Sequence, residues 1–124
     1  MEKIVDLALS SEYNLIVDRD RTLNRNIYCW YLSGCTEYEF DFWPYSGATM
    51  TVKNSSGTVV QQFSTTDGSI TLQSGGLLKL YKSANDMDKV RSGEYRYDLF
   101  LTGSQIEKRA FLRGSITYLQ NIAY

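Results

Sequence analysis

Polar and apolar side chains alternate strictly from Ala48 to Lys53. Ala48, Met50 and Val52 fall on one side of this stretch, which is the two-residue period of a half-buried β-strand. The Asn-Ser-Ser-Gly sequence at 54–57 then has the composition of a turn. Apolar positions return between Thr58 and Phe63, so the sequence predicts a β-hairpin over 48–63.

Turn residues recur about every ten positions in the following part of the chain, as in a β-sandwich or β-barrel. They precede short apolar strands at 69–72 and 77–81. A longer hairpin is predicted near the C-terminus, where alternation from Tyr95 to Leu101 resumes, after Gly103-Ser104, from Ala110 to Tyr118. The periodicity therefore predicts an all-β fold.

A helix is predicted at one place, where Ser83 precedes two early aspartates and an apolar pair. This pattern favours a single helical turn near 84–90, capped by the serine. Before residue 43, candidate strands lie at 4–9, 13–17, 26–32 and 37–42. In 37–42 acids alternate with aromatics, which predicts a strand with one wet and one dry face.

Composition sets limits on function. A chain of 124 residues fits one domain, here 1–124. The net charge is −1, which argues against a protein that neutralises many nucleic-acid phosphates. The chain has no histidine, so the commonest general base and metal ligand are missing. No apolar run approaches the roughly 20 residues of a membrane span, and the charged start does not fit a signal peptide. We expect no enzyme, no cofactor and no membrane contact.

Cys29 and Cys35 flank Ser33-Gly34. Two thiols without histidine do not complete a zinc site. A disulfide across this short loop is geometrically conceivable, but the lack of an export signal favours reduced thiols. We expect two small packing residues near a turn.

Two groups of acids were considered as chemical sites. Glu37, Glu39 and Asp41 share one side of a predicted strand, a spacing that suits paired carboxylates but that any alternating acidic strand would show. Asp86 and Asp88 resemble a fragment of a cation site, without the further ligands that a calcium loop needs. We interpret both groups as solvated surface.

Aromatic residues form 14% of the chain and cluster at 28–31 and 43–45. Tryptophan and tyrosine on a rigid β-scaffold can stack on a sugar or anchor a protein partner. We expect Trp30 to lie in the core. For Trp43, beside Pro44 in a predicted turn, core and surface positions stay open.

From Phe40 onward the order of segments is similar to that of a known group of proteins. Phe40-Asp41-Phe42 enters a turn that ends at Gly47, a hairpin follows, and the chain closes with Gly-Glu-Tyr-Arg-Tyr-Asp-Leu at 93–99 and Leu-Arg-Gly-Ser-Ile-Thr-Tyr at 112–118. This resembles the small immunoglobulin-like β-sandwich proteins encoded among tail, baseplate and appendage genes of tailed bacteriophages. The charged segment 18–25 departs from that pattern.

The resemblance implies an immunoglobulin-like antiparallel β-sandwich of about seven to nine strands. It also implies a non-enzymatic virion protein of the tail, baseplate or fibre attachment, or a capsid decoration, made in the bacterial host cytoplasm. Its partners would be copies of itself and other virion proteins. We place candidate contacts in a possible arm or loop at 18–25, at the aromatic turn and at the C-terminus: Asp18, Arg19, Asp20, Arg21, Arg25, Trp43, Pro44, Tyr45, Ile122 and Tyr124. The alternative is a carbohydrate-binding module that uses Trp30, Trp43 and Tyr45 to recognise a surface glycan.

Overall fold

The computed structural model describes residues 2–4, 11–43, 45–103 and 106–120. Within them the chain forms eleven strands and one short helix. The strands are β1 (Glu2–Ile4), β2 (Ser11–Glu12), β3 (Leu15–Asp18), β4 (Leu23–Ser33), β5 (Thr36–Glu39), β6 (Gly47–Lys53), β7 (Val59–Ser64), β8 (Ile70–Gln73), β9 (Leu77–Lys82), β10 (Gly93–Gly103) and β11 (Ile106–Leu119). The helix α1 (Ala84–Met87) lies between β9 and β10.

The strands form two sheets that pack as a sandwich. One sheet has the order β1-β4-β9-β8, with β5 also paired to β4. The other has the order β2-β11-β10-β6-β7, with β3 also paired to β11. Taking β4, β6, β7, β8, β9, β10 and β11 as strands B, C, C′, D, E, F and G gives the BED and GFCC′ sheets of an immunoglobulin domain. The predicted immunoglobulin-like β-sandwich is therefore confirmed.

The inward side chains of both sheets form one hydrophobic core. Met50 and Val52 of β6 are fully buried, as the alternation in the sequence predicts. Leu78 and Leu80 of β9, in the other sheet, belong to the same core. The hydrophobic effect at such positions fixes the register, because a slip of one residue would turn each strand's apolar face to water.

Both predicted hairpins are present. β6 pairs with β7 around the Asn54 turn, where the Asn54 side chain accepts hydrogen bonds from the backbone N–H groups of Ser56 and Thr58. β10 pairs with β11 over most of their lengths. The helical turn is confirmed as well, since the Ser83 side chain accepts the N–H of Asp86 at 3.3 Å.

The N-terminal third matches its prediction in part. The strands predicted at 13–17 and 26–32 are present as β3 and β4. The predicted strand at 4–9 lies outside the described residues apart from Ile4, and the described part has more than nine strands because this region divides into short pieces. The sandwich is also not wholly antiparallel: β1 runs parallel to β4, and β2 and β3 run parallel to β11. These long-range pairings cover the outer edges of β4 and β11.

One side of β4 is shared by two partners. Leu23 to Tyr28 pair with β9, and Trp30 to Ser33 pair with β5. The change takes place at Cys29, whose N–H donates to the Gly76 carbonyl at 2.8 Å and whose carbonyl accepts the Phe40 N–H at 2.9 Å. The second half of β4 thus forms a two-stranded ribbon with β5.

Two tyrosines on β10 occupy informative positions. The Tyr95 hydroxyl donates to the Arg91 carbonyl at 2.8 Å, the backward hydrogen bond of an immunoglobulin tyrosine corner. In antibody domains, the residue two positions later is the second cysteine of the disulfide between strands B and F. Here that residue is Tyr97, whereas Cys29 lies on strand B, and both side chains are buried. The sandwich therefore has half of that cysteine pair.

Candidate functional site

The aromatic segment between β5 and β6 is anchored to the core through contacts between aromatic rings. Phe40 and Phe42 are buried, with ring centroids 5.1 Å apart. Phe111 of β11 packs against both, at 4.7 Å from Phe40 and 5.7 Å from Phe42. Tyr45 is partly buried and stacks on Phe40 at 6.2 Å. This cluster fixes both ends of the segment to the core.

Trp43 projects from the anchored segment into solvent. It is 89% exposed, although the neighbouring Phe42 is buried. Its backbone N–H donates to Asp41 Oδ1 at 2.9 Å, and the Tyr45 N–H donates to the Phe42 carbonyl at 2.9 Å. These two hydrogen bonds close a tight turn around the tryptophan. The surface position, which the sequence left open, is therefore the one observed.

A groove lies between this turn and the edge strand β8. It has a volume of about 550 Å³. Residues 41–43 and 45–46 form one wall, and β8 together with the preceding β7–β8 turn forms the other. The sequence does not identify the second wall. Thr71 and Gln73 in this wall alternate with apolar neighbours, which predicts that their side chains are exposed. The alternation does not indicate which part of the chain lies opposite them.

The β7–β8 turn is held by a compact hydrogen-bond network. Asp67 Oδ1 accepts the Ser69 N–H at 2.9 Å and also the Ser69 hydroxyl. The Ser69 Oγ in turn accepts the Ser64 N–H at 2.8 Å. These hydrogen bonds lower the pKa of Asp67 below its ordinary value. The network gives the second wall of the groove a defined backbone shape.

The acids considered as chemical sites are surface groups. Glu37, Glu39 and Asp41 are all exposed. The Asp86 carboxylate accepts a hydrogen bond from Lys89 Nζ at 3.1 Å, which lowers its pKa, and Asp88 pairs with Arg19 at 3.2 Å. In the described ranges, no group of three or more acidic or cysteine side chains is placed to hold a metal ion.

The segment 18–25 is not a projecting arm or a continuous loop, which corrects that part of the prediction. Asp18 ends β3 and Arg25 lies within β4, so only 19–22 form a turn. Arg19 folds back onto its own chain, where Nε donates to the Val90 carbonyl at 2.8 Å and Nη2 to the Asp88 carbonyl at 2.7 Å. The geometry therefore gives Arg19 an internal role.

Other predicted contact residues differ in how accessible they are. Arg25 Nη2 donates to the Ile16 carbonyl at 2.6 Å and so joins β4 to β3. Asp20 and Arg21 are exposed in the turn. Their contact with a partner stays a prediction. Pro44, Ile122 and Tyr124 lie outside the described residues.

The predicted strand at 37–42, with one wet and one dry face, is confirmed in part. Glu37, Glu39 and Asp41 are exposed and Phe40 and Phe42 are buried, but β5 itself ends at Glu39. All of its residues are exposed, including Tyr38 at 45%. The reason for the exposure of Tyr38 is position, since β5 pairs with the part of β4 that lies beyond its pairing with β9. Residues 34–39 are all exposed along this ribbon. Trp30, expected in the core, is only half-buried at the ribbon's base.

The cysteines are both free thiols, as expected, but only Cys29 is a packing residue. It is fully buried, and desolvation raises the pKa of its thiol to about 12. Cys35 is exposed at the tip of the ribbon, next to Gly34 with a φ of 65°. The expectation of two packing residues is therefore wrong for Cys35, because the turn carries it away from the core.

None of the helices in the described part of the chain is long and apolar enough to cross a membrane.

Comparison with known proteins adds little about function. No family model matches the chain, and no curated protein matches it.

Three solved structures are similar to this chain at low sequence identity. The endo-β-1,4-mannanase from Thermotoga petrophila is 10% identical with a TM-score of 0.42, over 83% of this chain and 18% of that one. Extracellular domains 3–5 of Drosophila OTK are 13% identical with a TM-score of 0.34, over 95% and 36%. The V domain of amphioxus IgVJ-C2 is 9% identical with a TM-score of 0.28, over 85% and 99%. The chain thus spans well under two thirds of the first two. The immunoglobulin-like assignment rests on the order of the strands in the two sheets.

Proposed function

We propose that this β-sandwich is a non-catalytic structural protein of a bacteriophage particle, in the tail, baseplate or fibre attachment or as a capsid decoration. It works through contacts with copies of itself and with other particle proteins. The proposal depends mainly on the exposed β4–β5 ribbon, because such a surface is better suited to binding a partner protein than to catalysis.

The ribbon extends past the end of β9, and its residues 34–39 are exposed. An isolated two-stranded ribbon is at best marginally stable in water. A partner that covers the ribbon would bury Tyr38 and so stabilise both the ribbon and the complex. Glu37 and Glu39 on the same strand favour a partner with basic side chains.

The resemblance of the closing hairpin to phage sandwich proteins supports the same proposal. The quoted segments 93–99 and 112–118 are paired neighbours in β10 and β11. They form the centre of one sheet, so the resemblance concerns the framework of the domain. The contact surfaces lie at the ribbon and the loops.

Quantitative mass spectrometry of purified particles that carry the gene for this chain tests the proposal. We expect the chain in a fixed ratio to the other particle proteins. We also expect the purified chain, mixed with those proteins, to form a complex in analytical ultracentrifugation. Absence from the particles, together with a monomer that joins none of their proteins, would contradict the proposal.

The variant Tyr38→Ser identifies the ribbon as the contact. Tyr81→Ser is its matched control, because Tyr81 is an equally exposed tyrosine, at 51%, on strand β9 outside the ribbon. We expect Tyr38→Ser to weaken the complex by about tenfold or more, as for an aromatic hot spot. Equal affinities of the two variants would show that the ribbon is not the contact.

A further inference from the structure

The groove between the Trp43 turn and β8 has a structure suited to ligand binding. Its volume of about 550 Å³ lies within the range of about 300–1,000 Å³ that is usual for small-molecule sites. Its lining includes the buried Phe42 and Ile70, so part of its surface is apolar. Both walls are braced by hydrogen bonds from the turns that form them. A site whose shape exists before binding loses little conformational entropy when it is filled.

The exposed Trp43 ring is placed where a ligand in the groove would meet it. Trp43 lines the groove and is 89% exposed, while its own turn is anchored through Phe42 and Tyr45. The Ser46 N–H also donates to the Thr102 carbonyl of β10 at 2.8 Å, which ties the end of the turn to the sheet. An aromatic face held in water on a fixed backbone offers a large apolar contact at low entropic cost.

The polar groups of the groove indicate which ligands fit. Asp41 is the one charged side chain among the described lining residues, and no lysine or arginine lines the groove. An anionic ligand would therefore meet a carboxylate and no cation. The remaining polar lining groups are hydroxyls and one amide, which both donate and accept hydrogen bonds. They are supplied by Tyr45, Ser46, Thr65, Thr71, Gln73 and Ser74.

We propose that this groove binds a neutral saccharide, with the apolar face of a pyranose ring stacked on Trp43. Hydroxyl groups at the edge of the ring pair with Thr71 and Gln73 of β8 and with Asp41. A neutral sugar combines an apolar face with hydroxyl donors and acceptors, which is the combination that the lining offers. Trp30 takes no part, because it does not line the groove.

A panel of neutral hexose and N-acetylhexosamine oligosaccharides, followed by isothermal titration of those that bind, tests the site. We expect Trp43→Ala to weaken binding by at least about tenfold, the loss that a central aromatic contact typically causes. Tyr81→Ala removes an exposed aromatic residue that does not line this groove and should bind like the unmodified chain.

Tryptophan fluorescence gives an independent readout. The chain has two tryptophans, so Trp30 remains as an internal reference in Trp43→Ala. Saccharide should change the emission of the unmodified chain and leave that of Trp43→Ala unaltered. Matching circular dichroism spectra of the variants establish that they are folded.

Binding of no neutral sugar, or equal binding by Trp43→Ala and the unmodified chain, would overturn the inference. Selective binding of an extended peptide along β8, with no sugar bound, would also overturn it. Tyr38→Ser should keep its saccharide affinity, so failure of the sugar site is separable from failure of the assembly proposal.

Discussion

The Tyr118 hydroxyl donates a 2.6 Å hydrogen bond to Gln61 Oε1 in the interior of the sandwich. Tyr118 is on β11 and Gln61 on β7, which lie on either side of β10 and β6 in the same sheet. Gln61 Nε2 in turn donates to the Asp86 carbonyl of α1 at 3.0 Å. A chain of hydrogen bonds thus joins β11, β7 and α1. Burial raises the pKa of Tyr118, so this hydroxyl stays protonated and able to donate.

Removing the Tyr118 hydroxyl should destabilise the fold. In Tyr118→Phe the buried Gln61 oxygen loses its donor, and an unpaired buried polar group costs about 1–3 kcal/mol. Urea denaturation monitored by circular dichroism measures the change in free energy of unfolding. Tyr95→Phe is the control, because its acceptor, the Arg91 carbonyl, belongs to an exposed residue that water can reach. A larger loss in Tyr95→Phe would contradict this interpretation.

Gly76 should tolerate no side chain. Its φ is 74°, and a Cβ there would lie 2.3 Å from the Cys29 carbonyl oxygen, at the point where β4 changes partner. We expect Gly76→Ala to cost more than about 3 kcal/mol, the range of severe backbone and packing defects.

Gly57→Ala provides the matched comparison for Gly76→Ala. Gly57 has a similar φ of 83° but nothing within 4 Å of an added Cβ. Its loss should be limited to the left-handed backbone cost of about 1–2 kcal/mol. Equal losses in the two variants would mean that the contact with Cys29 is not decisive.

The two thiols should react very differently. Burial and a pKa of about 12 keep Cys29 protonated and inaccessible, whereas Cys35 is exposed. Since the thiolate is the reactive form, an aromatic disulfide reagent at pH 8 should label only Cys35 in the native chain and both thiols after unfolding. Cys35→Ser should show no native labelling. Rapid native labelling of Cys29 would indicate that the core opens near the ribbon.

Asp67 should make stability depend on acidity. Its folded-state pKa is lowered below the ordinary value of 3.8, chiefly by hydrogen bonds from Ser69. Its contribution is therefore present above pH 3.8 and is lost as the pH falls through the folded-state pKa. The free energy of unfolding of Asp67→Asn should lie below that of the unmodified chain at pH 7 and converge with it in acid. A constant difference between them at all pH values would exclude this linkage.

Arg19 should contribute to stability, in contrast to its neighbour Arg21. Its guanidinium bonds to two carbonyls and pairs with Asp88, and its side chain is only 17% exposed. We expect Arg19→Ala to lower the free energy of unfolding by about 1–2 kcal/mol. Arg21→Ala, whose side chain is 69% exposed, should change it by less than about 0.5 kcal/mol. Equal effects would assign both arginines to the surface.

Local patterns were the predictable part of this fold. The β6–β7 and β10–β11 hairpins and the Ser83 cap each depend on neighbours in the sequence, such as Asn54 for the first turn. The parallel pairing of β3 with β11 joins residues about a hundred positions apart, such as Leu15 and Ile116, and no local signal records it.

The candidate site was predictable only in part. The sequence identified Trp43 and Tyr45 as candidate contact residues, because they are aromatic residues beside a proline in a predicted turn. It did not pair them with β8, since the facing wall of a groove depends on tertiary packing. The failure at Tyr38 has a similar cause: alternation predicts two faces for β5, but a core must lie beneath a strand before either face can be dry.

The strands before residue 19 give this domain a vulnerability that its core composition does not reveal. β1 forms the edge of one sheet, and β2 and β3 form an edge of the other, so a short length of polypeptide covers an edge of each sheet. If proteolysis removed it, β4 and β11 would present bare backbone to any extended chain in reach. The same segment, donated by a second molecule, would cover these edges again and leave two sandwiches interlocked by exchanged strands.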